Sequence, residues 1–227
     1  MMKSFTYVEG LPQLKSLETE EIDGKRFYIT PNGIKVPSVT TVLGHSKKHL
    51  ITEWRNRIGN DEAQKISTRA SIRGTKFHNM LEKYLSNDIT LFEDVMPNMR
   101  QAFYDVQPTL DKIDDIHYIE TSLYSERLGL AGRTDVIGHY AGDLSIIDFK
   151  TSTRLKKEEW IDNYFEQGTA YAIMYEELVG QPIDQVVIII SVDGETQPQV
   201  FVKQKKDYVD SLIKKIHDYK KEYNDVR

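Results

Sequence analysis

No cysteine occurs among the 227 residues, which rules out disulfides, thiolate zinc sites and cysteine-held iron–sulfur clusters. Long apolar runs are also missing, and none approaches the roughly 20 residues of a membrane-spanning helix. The opening MMKSFTYVEGLPQLKSLETEE lacks the apolar stretch of a secretion signal and turns acidic too soon for a transit peptide. A cytoplasmic protein is therefore expected. There is no GxxxxGKS/T phosphate loop, no GxSxG elbow and no HExxH zinc helix. GLAG at 129–132 is too short for a dinucleotide fingerprint. Internal repeats, low-complexity tracts and Gly/Ser linkers are absent too, so one domain is expected.

The composition is 39% hydrophobic and 29% charged, which suits a folded chain with a core and not a disordered one. The length allows one sizeable α/β domain, or one with a helical insertion. Net charge is −5, which taken alone speaks mildly against a nucleic-acid partner. The distribution speaks for one. Residues 45–83 hold nine Lys or Arg against four acids (Glu53, Asp61, Glu62 and Glu82), so this stretch carries +5 and the remainder −10. Such asymmetry suits a polyanion-binding face, although solvated helix surfaces produce charge clusters as well. Arg55, Arg57, Arg69 and Arg73 are its candidate phosphate contacts. Trp54, Phe77 and Tyr84 lie among the basic residues and can stack on unpaired bases; core packing explains them equally well.

Hydrophobic periodicity and turn residues give a coarse element order. GKRFYITPNGIKVPSVTTVLG reads as two β-rich runs around the turn signal PNG. Residues 48–72 read as two helices broken near IGND. Gly74 then fits a helix end, with Thr75 capping a new helix whose Phe77, Met80, Leu81 and Tyr84 form an apolar stripe. A helix is expected at about 97–112 and strands at about 117–125, 130–139 and 144–150. A helix at 157–179, the strand QVVIIISV, a strand near QVFVK and a C-terminal helix complete the order. The sum is an α/β protein with helices flanking a mixed sheet.

The stretch IIDFKTS at 146–152 ends an apolar strand on an acid and a base two residues apart. Strand alternation puts Ile147 and Phe149 on one face and Ile146, Asp148 and Lys150 on the other. A solvated sheet face is the ordinary explanation of such a fragment. AGRTDVIGHYAGDLSIIDFKTS, however, reads as a hairpin turning at Ala141–Gly142. In that register paired residues sum to 283, and Asp135 lies opposite Asp148. Like charges so placed destabilise a sheet. A divalent cation offsets the clash, since hard oxygen ligands suit Mg²⁺ or Mn²⁺. Two acids holding a metal, with Lys150 beside them, form a constellation for phosphodiester hydrolysis. A bulge at the turn would shift the register and spoil the geometry.

The ordered set RGTKFHNMLE, ETSLYSERLGLAGRTDVIGHYAGDLSIIDFKTS and QGTAYAIMY resembles the RecB-like branch of the PD-(D/E)xK nucleases. VPSVTTVL at 36–43 narrows the likeness to the group of the mitochondrial genome maintenance exonuclease and its phage relatives. The resemblance covers roughly residues 27–190. It implies a restriction-endonuclease-like core, with an N-terminal hairpin and basic helical segment over 1–72, a catalytic core over 73–200 and a closing strand end and helix over 201–227. By the same resemblance Asp135, Asp148 and Lys150 are catalytic, the second acid being Asp as is usual in that branch, and His78, Asp135 and Asp148 bind metal. Glu82 and Glu120 are supporting acids, and Gln167 and Tyr171 match the QxxxY motif that contacts substrate or supports the site. Arg73, Gly74 and Thr75 fall where the family approaches the DNA backbone. The chain departs from relatives that carry an iron–sulfur cluster on four cysteines.

Plainer roles stand beside these. A histidine on an amphipathic helix is commonly a packing or surface residue, Gln167 and Tyr171 are also ordinary helix neighbours, and Glu120 also fits a strand-edge charge. The implied activity is metal-dependent DNA exonuclease, with single-stranded DNA bearing a free end as substrate. The setting is DNA replication, recombination or repair in phage or bacteria, in the host cytoplasm if phage-encoded. The alternatives are a double-strand end-resecting exonuclease, a structure-specific endonuclease on the same core, or a non-catalytic DNA-binding module.

Overall fold

Asp23 and Gly24, both at positive φ (52° and 69°), form the two-residue turn of an N-terminal hairpin, as Asp-Gly pairs favour. It joins β1 (Glu18–Ile22) to β2 (Lys25–Ile29), and β3 (Lys35–Pro37) follows the PNG turn to complete a three-stranded antiparallel sheet. Only β2 and β3 were expected; ETEEI has four exposed residues in five and carries no apolar alternation. The structure is a computed structural model that describes residues 2–93 and 95–225.

VPSVTTVLG does not continue as a β run. It turns into α1 (Val39–His45), because Ser38 caps the helix by accepting the Thr41 N–H at 3.0 Å. Helix α2 (Lys48–Ile58) breaks from α3 (Asn60–Leu85) at Gly59, whose φ of 87° favours glycine. The expected second break does not occur, and α3 runs unbroken through Gly74. A glycine inside a helix costs roughly 1 kcal/mol relative to alanine. Burial of the next turns, Phe77, Met80, Leu81, Tyr84 and Leu85, outweighs that cost. After α4 (Pro97–Leu110) come three long strands, β4 (Ile113–Ser125), β5 (Leu130–Tyr140) and β6 (Asp143–Ser152). Helix α5 (Asp162–Val179) then crosses over to β7 (Gln185–Val192), and β8 (Gln199–Gln204) and α6 (Val209–Asp225) close the order.

The second sheet has the order β4-β5-β6-β7-β8 and is antiparallel except at β6–β7, which the α5 crossover makes parallel. Strand β7 is a continuous apolar run because both its faces are covered. On one face Ile147, Phe149, Val187 and Ile189 pack against α3 and α4. On the other, Ile146 packs with α1, α5 and α6, and Val186, Ile188 and Ile190 pack with Phe165 of α5. Helix α5 lies so close that a Cβ on Gly168 would stand 2.3 Å from Val186 Cγ1.

Candidate active site

The hairpin between β5 and β6 turns at Ala141 and Gly142, both at positive φ (54° and 98°), and its register is the expected one, from Tyr140↔Asp143 to Val136↔Ile147. The ladder stops there, one step short of Asp135 and Asp148. Beyond that point β5 stays with β4 and β6 stays with β7. The two carboxylates are therefore not a ladder pair as the sequence reading placed them; the strands part and form a wedge. Each acid is compensated separately. Asp135 Oδ2 accepts the Phe149 N–H at 2.7 Å, and Asp148 forms an ion pair with Lys150.

His78 reaches the wedge from α3, with Nδ1 3.5 Å from Asp135 Oδ2 and its ring edge-on to Phe149 at 6.3 Å. Glu120 reaches it from β4, across from Asp135, with φ at 47°. A non-glycine residue held there costs roughly 1–3 kcal/mol and such residues cluster at functional sites. Arg133 of β5 holds Glu120 from both ends, with Nε 2.8 Å from the carboxylate and donating to the Glu120 carbonyl at 3.0 Å. Among the described residues, His78, Glu120 and Asp135 are the one group whose ligand atoms lie within 4.8 Å of one another as a metal site requires. Asp148 lies outside that group; it is 2% exposed and its Oδ2 has no hydrogen-bond donor beyond the ammonium it faces. Glu82, one turn after His78, is also outside the group, and its charge adds to the field on Glu120.

The electrostatics follow from crowding acids under cover. Burial, then the Asp135 charge, pushes the Glu120 carboxyl up to about 7. Burial, with Asp135 adding to it, outweighs Lys150 and pushes Asp148 up to about 6. Burial acts the same way on Asp135, but the hydrogen bond and charge of His78 outweigh it and hold that group below the usual carboxylate range. Burial opposes the charge on Lys150, and the two aspartates more than offset it, so the ammonium is held above its ordinary range. Lys150 also lies 5.2 Å over the Tyr164 ring. An imidazole nitrogen, two crowded carboxylates and a buried aspartate oxygen short of donors form a donor set that fits a small hard divalent ion.

Acids with raised pKa hold protons in the fold that the unfolded chain has already released, so they lower stability as pH rises through that window. In EDTA, the Glu120→Gln/Asp148→Asn variant is expected to gain melting temperature relative to the parent steadily from pH 5 to 7.5. A difference that stays constant with pH would contradict the assignment.

Gln167 donates to the Tyr171 hydroxyl at 3.2 Å, and the Tyr171 ring lies against Gly132, where a Cβ would stand 2.6 Å from it. The Tyr171 hydroxyl is buried and held far above its ordinary pKa by that burial. Of the basic candidates, Arg73 is paired with Asp193, Arg55 is half-buried, and Arg57, Arg69 and Thr75 are exposed. Arg69 lies nine residues before His78, about 14 Å along the helix.

A family model described as the PD-(D/E)XK nuclease superfamily matches residues 54–225. The chain belongs to that superfamily. It is 29% identical over 130 residues to human Mitochondrial genome maintenance exonuclease 1 and 26% identical over 129 residues to the mouse protein. Each match covers 53% of this chain and 38% of the relative, so the chain spans well under half the length of the relatives it matches. The crystal structure of SSO0001 aligns at 13% identity and a TM-score of 0.46, over 80% of this chain and 73% of that one. Nucleases of this superfamily use divalent metals, in keeping with the donor set above. Among the described residues no helix is long and apolar enough to cross a membrane.

For this PD-(D/E)XK nuclease, sequence reasoning missed Arg133 and Tyr164. Arg133 had a readable signal, since it lies two residues before Asp135 and so on the same strand face. Tyr164 had none; only the α5 crossover brings it to Lys150.

Proposed function

We propose that this protein is a metal-dependent DNA exonuclease acting on single-stranded DNA from a free end, in replication, recombination or repair. The observation that carries the proposal is the wedge itself. Strands β5 and β6 part where His78, Glu120 and Asp135 converge, and the Asp148–Lys150 pair closes the β6 side. His78, Glu120 and Asp135 would hold the metal, with Asp148 as a further ligand. When bound, Mg²⁺ or Mn²⁺ supplies Lewis-acid polarisation of the phosphodiester and a lower pKa for the attacking water.

The chain's own groups do the rest. The Phe149 N–H fixes one oxygen of Asp135, and Arg133 fixes Glu120. Asp148 and the Tyr164 face hold the Lys150 ammonium, which meets charge developing on the phosphate oxygens or orients water. Gln167 and Tyr171 back the wedge from α5. A binding module has no need of crowded, costly carboxylates, and their presence favours catalysis over that alternative. Digestion should discriminate by ends: linear single strands should be degraded and covalently closed circles spared. Equal loss of both would mean an endonuclease, and preference for linear duplex would mean end resection.

DNA has to be held by a local positive surface on a chain of net charge −5. Each phosphate contact adds roughly 0.7 to the salt slope for single strands. Replacing Arg55, Arg57, Arg69 and Arg73 by Ser is expected to weaken single-strand binding and flatten its salt dependence, with Mn²⁺ affinity hardly changed. The C-terminal lysines are the comparison, and they differ in exposure and partners. Lys215 bonds the buried Glu166 at 2.5 Å and Lys220 donates to the Leu128 carbonyl at 2.8 Å. Lys214 and Lys221 are the exposed pair to replace. A larger loss of slope from that pair, read by anisotropy titration, would put the DNA on the other face.

A further inference from the structure

On the side of α3 turned away from His78, a cleft of about 470 Å³ opens between the helix and a wall that includes Leu91, Glu93, Val95 and Met99. Val95, Met99 and the buried Met80 give it an apolar floor, and Ile72 and Met96 line it while 53% and 60% exposed. Basic side chains border it, and Glu93 is the single acid among the described lining residues. Arg73 is engaged by Asp193 and Lys83 by Thr90, while Arg69 and Lys76 have no acid partner among the described residues. An apolar slot of this size beneath cations that have no acid partner among the described residues fits an unpaired nucleotide: the base finds aliphatic contact and its phosphates find charge. An apolar helix of a protein partner would fill the slot but leave the cations unmatched.

The cleft also lies within reach of the wedge. Arg73 holds Asp193, whose N–H donates to the Ser152 carbonyl at 2.9 Å, so the mouth of the cleft abuts the end of β6 just past Lys150. Gly74 leaves the helix surface bare there. A Cβ on it would meet nothing closer than Thr151 Oγ1 at 4.0 Å, so packing alone does not demand glycine. A strand leaving the wedge over Gly74 would pass round α3 by way of Arg73 to reach Arg69 and Lys76, which lie on the far face of the helix.

We infer that this cleft seats one base of the single-stranded substrate outside the scissile position, with Ile72 and Met96 against the base and Arg69 and Lys76 on its flanking phosphates. The inference rests on the nuclease reading above. The test is anisotropy in EDTA, where digestion does not intervene, with oligonucleotides of about ten nucleotides, within the span that single-strand grooves cover. One abasic residue is stepped along the strand. A single abasic position should weaken binding roughly 5-fold, the low end of the scale for losing a base stacked on an aromatic ring. The Ile72→Ser/Met96→Ser variant, changed only at exposed positions, should lose about as much affinity for intact DNA and become indifferent to that abasic position. A flat scan in the parent, or a variant with parental affinity and an unchanged scan, overturns the cleft assignment. If the parent still digests DNA with Mn²⁺ in that case, the nuclease reading stands; a protein that neither binds nor digests DNA overturns both.

Discussion

Asp148→Asn is expected to lower DNA digestion by on the order of 10²–10³-fold, the scale for removing one preorganised charged group at a reacting centre. It should also weaken Mn²⁺ binding by at least about 10-fold, because the amide offers the metal no charge. The fold should survive. The buried Asp148 carboxyl has its pKa pushed up to about 6, so its charge is unwelcome on balance at pH 7 even with Lys150 beside it. Melting temperature in EDTA should therefore be unchanged or raised at neutral pH. A purified variant that digests DNA at near the parental rate would remove Asp148 from the site.

Lys150→Ala separates the roles of the base and the acids. Loss of the ammonium is expected to cost on the order of 10²-fold or more in rate while DNA and Mn²⁺ are still bound. Lys150 is one of the groups that restrain the upward shift of Asp148, so its removal should leave Asp148 protonated to a higher pH. Metal binding is best compared at about pH 8, where both proteins present the carboxylate. Calorimetry in which the variant no longer binds Mn²⁺ would contradict a lysine that acts on the substrate and not on the metal.

Much of the site was legible because strand geometry is strict. A two-residue turn at Ala141–Gly142 fixes the register, and the period of two puts Asp148 and Lys150 on one face. Where the ladder ends was not legible: β5 continues with β4 and β6 with β7 past the point where the two part, and no residue of the hairpin marks that point. Gly74 misled for a related reason. Local propensity favours a break there, and burial of the following apolar stripe overrides it. Ser38 was readable as a cap in the Pro-Ser pair before VTTVL, but the β-branched residues around it favoured a strand reading. The left-handed backbone of Glu120 has no signal in ETSL; only the contact with Arg133 across the sheet explains how that residue is held. The buried Glu166 of α5 pairs with the half-buried Lys215 of α6, which no local pattern announces.

The wedge is proposed to hydrolyse DNA with a divalent metal. A single-stranded oligonucleotide labelled at either end, incubated with the protein in Mg²⁺ or Mn²⁺ and in EDTA, tests it most directly. Progressive shortening is expected with metal, and an intact strand in EDTA. An intact strand under every condition, or the same shortening with and without EDTA, would contradict it.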